Sequence, residues 1–327
     1  MAVTSPAMTA FVANQMCAYL SPANGESEKN PRIAIFTDKL DWHVEEIVGA
    51  FTRLGVAAVP VRLSACKIDT TRSDGLAIPG FRAAPPDGVI VRAIGDGALE
   101  AITLRLGVLH ALAALGVALV NDARAIERCT DKSMASFLLA RSGVATPATF
   151  VTQTLAQARA VARRECASGP LVLKPLFGAQ GWGLRLIGSE SDLPAPEEIG
   201  GVYYLQRFVA PRGEAFEDTR ILVSHGEVVA AKRRRSHHWI TNVGQGAKPV
   251  AIETLPRERE IALRAVAALG AAFAGVDMIE GEDGAPLVLE VNSMAGWSGL
   301  QRVTPFSIAE RLAADALKAF EASRAHG

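Results

Sequence analysis

Gly275-Val-Asp-Met-Ile-Glu-Gly-Glu-Asp-Gly-Ala-Pro-Leu-Val-Leu-Glu-Val-Asn292 is the stretch that decides how this chain is read. Two apolar runs flank Asp283-Gly284, the favoured pair for a two-residue turn between antiparallel strands. A hairpin closed there sets Asp277 opposite Glu290. Asn292 shares their face, because alternate strand residues point the same way. Three oxygen-bearing side chains thus meet among Val276, Met278, Leu289 and Val291. Two carboxylates buried unpaired repel each other and are costly. A hard divalent cation is the natural counter-charge, and Mg²⁺ is held by carboxylate and amide oxygens completed by substrate phosphates. Solvated acids on an outer hairpin face are the plain alternative, which the apolar neighbours disfavour.

Working outward, Leu171-Val-Leu-Lys-Pro175 ends an apolar strand on a lysine, and Gly178-Ala-Gln-Gly-Trp-Gly183 follows. Glycines let backbone N–H groups approach phosphate oxygens with no Cβ in the way. No Lys-Ser/Thr follows the last glycine, so this is not a P-loop, and taken alone it is no more than a hairpin loop. Asp218-Thr-Arg220 opens another apolar strand. A guanidinium there can bind carboxylate or phosphate through two parallel hydrogen bonds, or simply bridge Asp218 or Glu217 at the surface. Lys232-Arg-Arg-Arg235, with His237 and His238, reads as a solvated charged face.

Upstream, Arg32–Thr37, Val56–Leu63, Gly88–Arg92 and Val117–Val120 read as strands. Helical spacing fills Asp41–Leu54 and Ala98–Leu115, each stopped by a glycine. This alternation predicts an open, mainly parallel sheet, and no G-x-G-x-x-G follows the first strand. Further on, Thr130 is the expected N-cap of a helix over Asp131–Ala140. The polar stretch Ser189–Gly200 reads as a linker. Lys+Arg and Asp+Glu are equal at 34 each, so no basic surplus points to nucleic acid. Four scattered cysteines argue against a zinc site or disulfide framework, and a reducing cytoplasm is the expected location. The first thirty residues lack the basic start and long apolar stretch of a secretory signal.

The order Lys132, Lys174, glycine loop, Gln206-Arg-Phe-Val209, Asp218-x-Arg220, Trp239-Ile-Thr-Asn242, Asp277, Glu290-x-Asn292 resembles the ATP-grasp superfamily, and within it the RimK-like ligases. The resemblance runs from about Arg92 to Gly299. It implies mixed α/β and α+β architecture: an ATP-grasp fold behind a Rossmann-like pre-ATP-grasp domain. The corresponding divisions are a loosely ordered leader (1–30), the N-terminal domain (31–128), a central subdomain carrying the glycine-rich lid (129–200) and a C-terminal subdomain with the metal site (201–327).

The resemblance also implies roles. ATP would contact Lys132, Lys174, Gly178, Gln180, Gly181, the hinge Gln206, Arg207, Phe208 and Val209, then Asp218 and Asn242. Two Mg²⁺ (or Mn²⁺) would be held by Asp277, Glu290 and Asn292. Arg220 would steady an acyl phosphate, which an amine then converts to an amide. The Trp239-Ile-Thr-Asn242 form is similar to relatives that attach glutamate to cofactor or carrier carboxylates. The expected partners are therefore a small-molecule carboxylate and an amine, with no nucleic acid and no membrane; self-association is left open. A small-molecule kinase and a non-catalytic nucleotide-binding protein are the alternatives on the same scaffold.

Overall fold

The computed structural model describes residues 31–178, 181–241 and 248–326. The expected leader and two expected nucleotide contacts, Gln180 and Asn242, lie outside the described residues. The chain forms two compact units. The first runs through Ala123 and takes in Gly296–Ser298 and everything from Phe306 onward; the second is Arg124–Ala295 with Gly299–Pro305.

In the first unit, Ile33 to Phe36 of β1 (Arg32–Phe36) are fully buried, the continuous apolar run that a parallel strand covered on both faces needs. β1 lies between β2 (Ala57–Val61) and, after a two-stranded ribbon of β3 (Lys67–Ile68) and β4 (Leu76–Ala77), β5 (Gly88–Val91). β6 (Leu119–Val120) completes an all-parallel sheet in the order β2-β1-β5-β6, as the strand–helix alternation predicts. Helix α1 (Trp42–Arg53) starts at Asp41, whose carboxylate accepts from the Val44 amide at 3.1 Å, and it turns Val44, Ile47 and Phe51 inward. Helix α2 (Leu99–Ala114) follows β5. The closing helix Ile308–His326, expected with the C-terminal half, packs in this unit instead. Its Phe320 is fully buried over Gly88, where a Cβ would stand 2.4 Å from the ring.

The segment Gly296–Ser298 belongs to the same unit because His43 holds it. The Trp297 and Ser298 amides donate to His43 Nε2 at 3.1 and 3.2 Å. Burial, with Arg92 nearby, pushes the imidazole pKa below its ordinary value. Protonation would put a proton on the nitrogen that accepts both bonds. The folded-state pKa is depressed, so this contribution is complete above the unfolded value of about 6.5 and is lost as pH falls below it. We expect the melting temperature to fall less between neutral and mildly acid pH in His43→Gln, whose amide oxygen still accepts but does not titrate. Equal falls in wild type and variant would remove His43 from the acid response.

In the second unit, α3 (Ala123–Thr130) leads into α4 (Lys132–Arg141). The cap is Asp131 and not the expected Thr130: its Oδ1 accepts from the Ser133 and Met134 amides at 2.8 and 3.2 Å. Thr130 still belongs to α3, so its hydroxyl comes one residue too early. An antiparallel sheet follows in the order β7-β10-β8-β9, from β7 (Thr149–Thr152), β8 (Leu171–Lys174), β9 (Arg185–Ile187) and β10 (Tyr203–Arg207). Helix α5 (Leu155–Glu165) covers one face, burying Ala158 and Ala162 against Leu171, Leu173, Ile187, Tyr203 and Leu205. The expected linker Ser189–Gly200 holds two single 3₁₀ turns, and its Leu193 joins that core.

The last sheet is antiparallel, β13-β12-β11-β14-β15, built from β11 (Phe216–Ser224), β12 (Glu227–Ser236), β13 (Lys248–Ala251), β14 (Phe273–Glu280) and β15 (Pro286–Asn292). Helix α6 (Pro256–Leu269) and α4 lie on one face. There Ile221, Val223, Ala274, Val276, Met278, Val288 and Val291 pack on Leu139, Ile261, Ala265 and Leu269. Alternation along each strand sends the polar residues to the other face.

Candidate active site

The hairpin of β14 and β15 puts Asp277 opposite Glu290, as expected, but not through the expected turn. The Gly281 amide donates to Ala285 O at 2.8 Å and the Gly284 amide to Gly281 O at 2.9 Å, with Gly284 left-handed at φ 79°. Three residues, Glu282 to Gly284, therefore form the loop, the type that needs glycine at its third position. That slips the register by one residue near the turn, so Met278 faces Val288. A bulge at Leu289 then restores the pairing of Asp277 with Glu290 and of Val276 with Val291.

Across the sheet the register continues: Arg220 faces Asp277 from β11, and Lys232 faces Arg220 from β12. Directly opposed residues share a face, so Lys232, Arg220, Asp277 and Glu290 form one row. Asp218 and Arg234 lie opposite each other two residues along on that face, and Asn292 two residues beyond Glu290. The backbone is close-packed here: a Cβ on Gly275 would come within 2.9 Å of Ala295.

The charges interlock. Arg220 Nε and Nη2 donate to the two Asp277 oxygens, each at 2.5 Å. Arg234 makes the same two-pronged contact with Asp218, and its Nη2 stands 2.9 Å from Asp277. The Thr241 hydroxyl donates to Asp218. Burial alone would raise the Asp277 pKa, but Arg220 and Arg234 overcome it and hold the carboxyl well below the usual range. The counter-charge inferred from sequence is thus supplied to Asp277 by arginines. Glu290 differs: it accepts from Asn292 Nδ2 at 3.0 Å and lies 4.0 Å from Arg220 Nη2, with its side chain 38% exposed.

The second sheet contributes cations. Lys174 Nζ donates to Gln206 Oε1 at 2.6 Å, and the Gln206 amide donates in turn to Thr149 Oγ1 at 3.0 Å. Burial pushes the Lys174 pKa down to about 8, against the pull of Glu290. Lys132 Nζ donates to the Leu176 and Gly178 carbonyls at 3.2 and 2.8 Å, so it grips the root of the glycine loop. Burial lowers its pKa too, again opposed by Glu290. Gly178 and Gly181 both have positive φ, 158° and 73°.

Other expected site residues separate from this cluster. Arg207 alternates to the opposite side of β10 from Gln206, is exposed, and pairs with Glu165. Phe208 packs edge-on against Phe216 and Trp239, and Val209 is half-buried. Asp218, an expected ATP contact, stays within the cluster, buried under Arg234. The basic run, expected to be solvated, is only half so. Arg233 and Arg235 do face outward, paired with Glu217, but Lys232 and Arg234 are each only 4% exposed. Strand alternation through four consecutive cations was the available signal.

Among the described residues there is no group of three His, Cys, Asp or Glu that could cage a metal. Mg²⁺ does not need one, since substrate phosphates complete its shell. The hard oxygens of Glu290 and Asn292 fit such an ion, with Asp277 beside them and already held by guanidinium groups.

The RimK-like ATP-grasp domain profile matches residues 129–316. The tetrahydromethanopterin:alpha-L-glutamate ligase of Methanococcus maripaludis is 34% identical over 207 residues, 62% of this chain and 70% of that one. The ligase of the same name from Methanosarcina acetivorans is 29% identical over 269 residues, 75% and 81% of the two chains. Among solved structures, the ATP-grasp ligase PsnB with a phosphomimetic precursor variant, Mg and ADP superposes with a TM-score of 0.69 at 22% identity, over 89% of this chain and 98% of that one. D-cycloserine synthetase DcsG superposes with a TM-score of 0.64 at 19% identity, over 88% and 99%. The chain belongs to the RimK-like ATP-grasp family. It is an ATP-dependent carbon–nitrogen ligase of the ATP-grasp fold. Among the described residues no helix is long and apolar enough to cross a membrane.

Proposed function

We propose that the chain joins the amine of L-glutamate, or a similar amino acid, to a carboxylate on a pterin-type cofactor or small acceptor, with ATP and two Mg²⁺ (or Mn²⁺). The observation that carries this is the row Arg220–Asp277–Glu290 on one sheet face, with Glu290 also felt electrostatically by Lys132 and Lys174. The relatives named as tetrahydromethanopterin:alpha-L-glutamate ligases support the choice of substrates. The acceptor carboxylate attacks the γ-phosphorus, ADP leaves, and an acyl phosphate forms. The amine then attacks the acyl carbon, phosphate leaves, and the amine proton is lost to solvent.

Such chemistry is catalysed mainly by positioning and charge. Bound divalent cations would neutralise charge on the transferred phosphoryl group, with Glu290, Asn292 and Asp277 holding them. Arg220 is pre-aimed by its two bonds to Asp277, so it stabilises developing negative charge without first having to be ordered. Lys132 and Lys174 would trade their protein acceptors for phosphate oxygens. The Lys132 grip on the Gly178 carbonyl would couple that exchange to closure of the loop, which keeps water from the acyl phosphate.

The test is ADP release from Mg-ATP with L-glutamate against a panel of cofactor and peptide carboxylates. ADP formed only when acid and amine are both present, with product mass equal to their sum less water, is expected. ADP formation that ignores L-glutamate across every acceptor would discard the amino acid proposed.

A further inference from the structure

Lys232 stands at the end of the charged row, opposite Arg220 on β12. It is 4% exposed, and among the described residues no carboxylate comes within ion-pair distance of its ammonium. The nearby acids, Asp218 and Asp277, are already held two-pronged by Arg234 and Arg220. Arg220 and Arg234 act on it more strongly than Asp277 and Asp218 do. Burial first, then Arg220 and Arg234, push the Lys232 pKa down to about 8. The ammonium has been given room: it rests over Gly299, where a Cβ would lie 2.5 Å from Nζ. Gly299 sits in the short helix Ser298–Gln301 with no positive φ, and the ammonium occupies the space a side chain there would take.

Burying a cation without a carboxylate partner costs stability that an apolar side chain at this strand position would not. A charge retained at that cost is matched by an anion that arrives with the substrate. Strands lie about 4.8 Å apart, so Lys232 is rooted roughly 14 Å from Glu290, three strands away. Arg220 and Asp277 lie between them. With the transferred phosphoryl group placed at Glu290 as proposed above, an anion at Lys232 is a different group of the bound substrates.

We propose that Lys232 binds an unreacted carboxylate of the amino-acid substrate and so selects a dicarboxylic amino acid over its amides; this rests on the ligase reading above. The test compares the full chain with Lys232→Met and Lys232→Arg in the presence of Mg-ADP. Lys232→Met is expected to melt no lower than wild type and to bind Mg-ADP equally well. By calorimetry it is expected to lose L-glutamate affinity by about 10- to 100-fold, the range for one charge-assisted hydrogen bond. Lys232→Arg is expected to restore most of that affinity. L-Glutamine and L-glutamate α-amide tell which carboxylate is held, since the ligand lacking it binds wild type and Lys232→Met alike. A lower melting point in Lys232→Met, or unchanged L-glutamate affinity, overturns the proposal. If wild type binds no L-glutamate, the choice of amino acid fails by itself. Malonate and succinate then probe the same three proteins, and equal behaviour of wild type and Lys232→Met overturns the role of Lys232.

Discussion

Glu290→Gln is expected to cut ADP formation by about 10³-fold or more while leaving the fold intact. Among the described residues three carboxylates share the charged face, and two of them have both oxygens bound by guanidinium groups at hydrogen-bond distance: Asp277 by Arg220 and Asp218 by Arg234. Glu290 is 4.0 Å from Arg220 and 38% exposed, so the charge open to a divalent cation is concentrated there. Glutamine keeps the volume and one carbonyl oxygen and removes the charge. Loss of metal-assisted charge stabilisation amounts to several kcal/mol, and about 4 kcal/mol corresponds to that fold-change. Stability should barely move, because a part-exposed carboxylate contributes little to folding. A coupled ADP assay over a Mg²⁺ titration reads the effect, and residual activity in the variant should need more Mg²⁺. Wild-type turnover with wild-type Mg²⁺ dependence would take Glu290 out of the site.

Much of this arrangement was legible in the amino-acid order. The strand–helix alternation from Arg32 to Val120 foretold the parallel sheet because continuous apolar strands need helices covering both faces. The pairing of Asp277 with Glu290 was also legible, though partly by compensation. The loop is one residue longer than Asp283-Gly284 suggests, and the Leu289 bulge takes that residue back. A bulge has no local sequence mark here, since Leu287, Val288, Leu289 and Val291 are equally apolar.

What was not legible depended on register across distant segments. Arg234 reaches Asp218 and Asp277 only because β11 pairs with both β12 and β14, and no spacing in the chain announces that. The destination of the closing helix was hidden for the same reason. Its Phe320 finds room over Gly88, more than two hundred residues away in sequence, and an amphipathic helix does not specify which unit it covers. Asp131 and Thr130 are both good caps, and the choice fell to where α3 ends.

Arg220→Met and Arg234→Met are expected to fail in opposite ways, although both remove a buried guanidinium from the same network. Arg234 serves two acids. Without it, among the described residues, Asp218 keeps only the Thr241 hydroxyl and Asp277 keeps only Arg220. Asp218 is 4% exposed, so a buried carboxylate is stranded, and stability should drop by about 3–5 kcal/mol. Among the described residues Arg220 serves Asp277 alone of the acids at hydrogen-bond distance, and Arg234 still stands 2.9 Å from Asp277 after its loss. The stability cost of Arg220→Met should therefore be well below that of Arg234→Met. Its catalytic cost should be larger, because Arg220 lies between Asp277 and Lys232 in the row that leads to Glu290: about 10²-fold in ADP formation per folded molecule, roughly 3 kcal/mol as for loss of one charge-stabilising donor. Denaturant unfolding and turnover measured on the same preparations separate the two effects. If Arg220→Met destabilises as much as Arg234→Met and turns over normally once folded, Arg220 is a structural counter-ion and the phosphoryl chemistry is stabilised from elsewhere in the site.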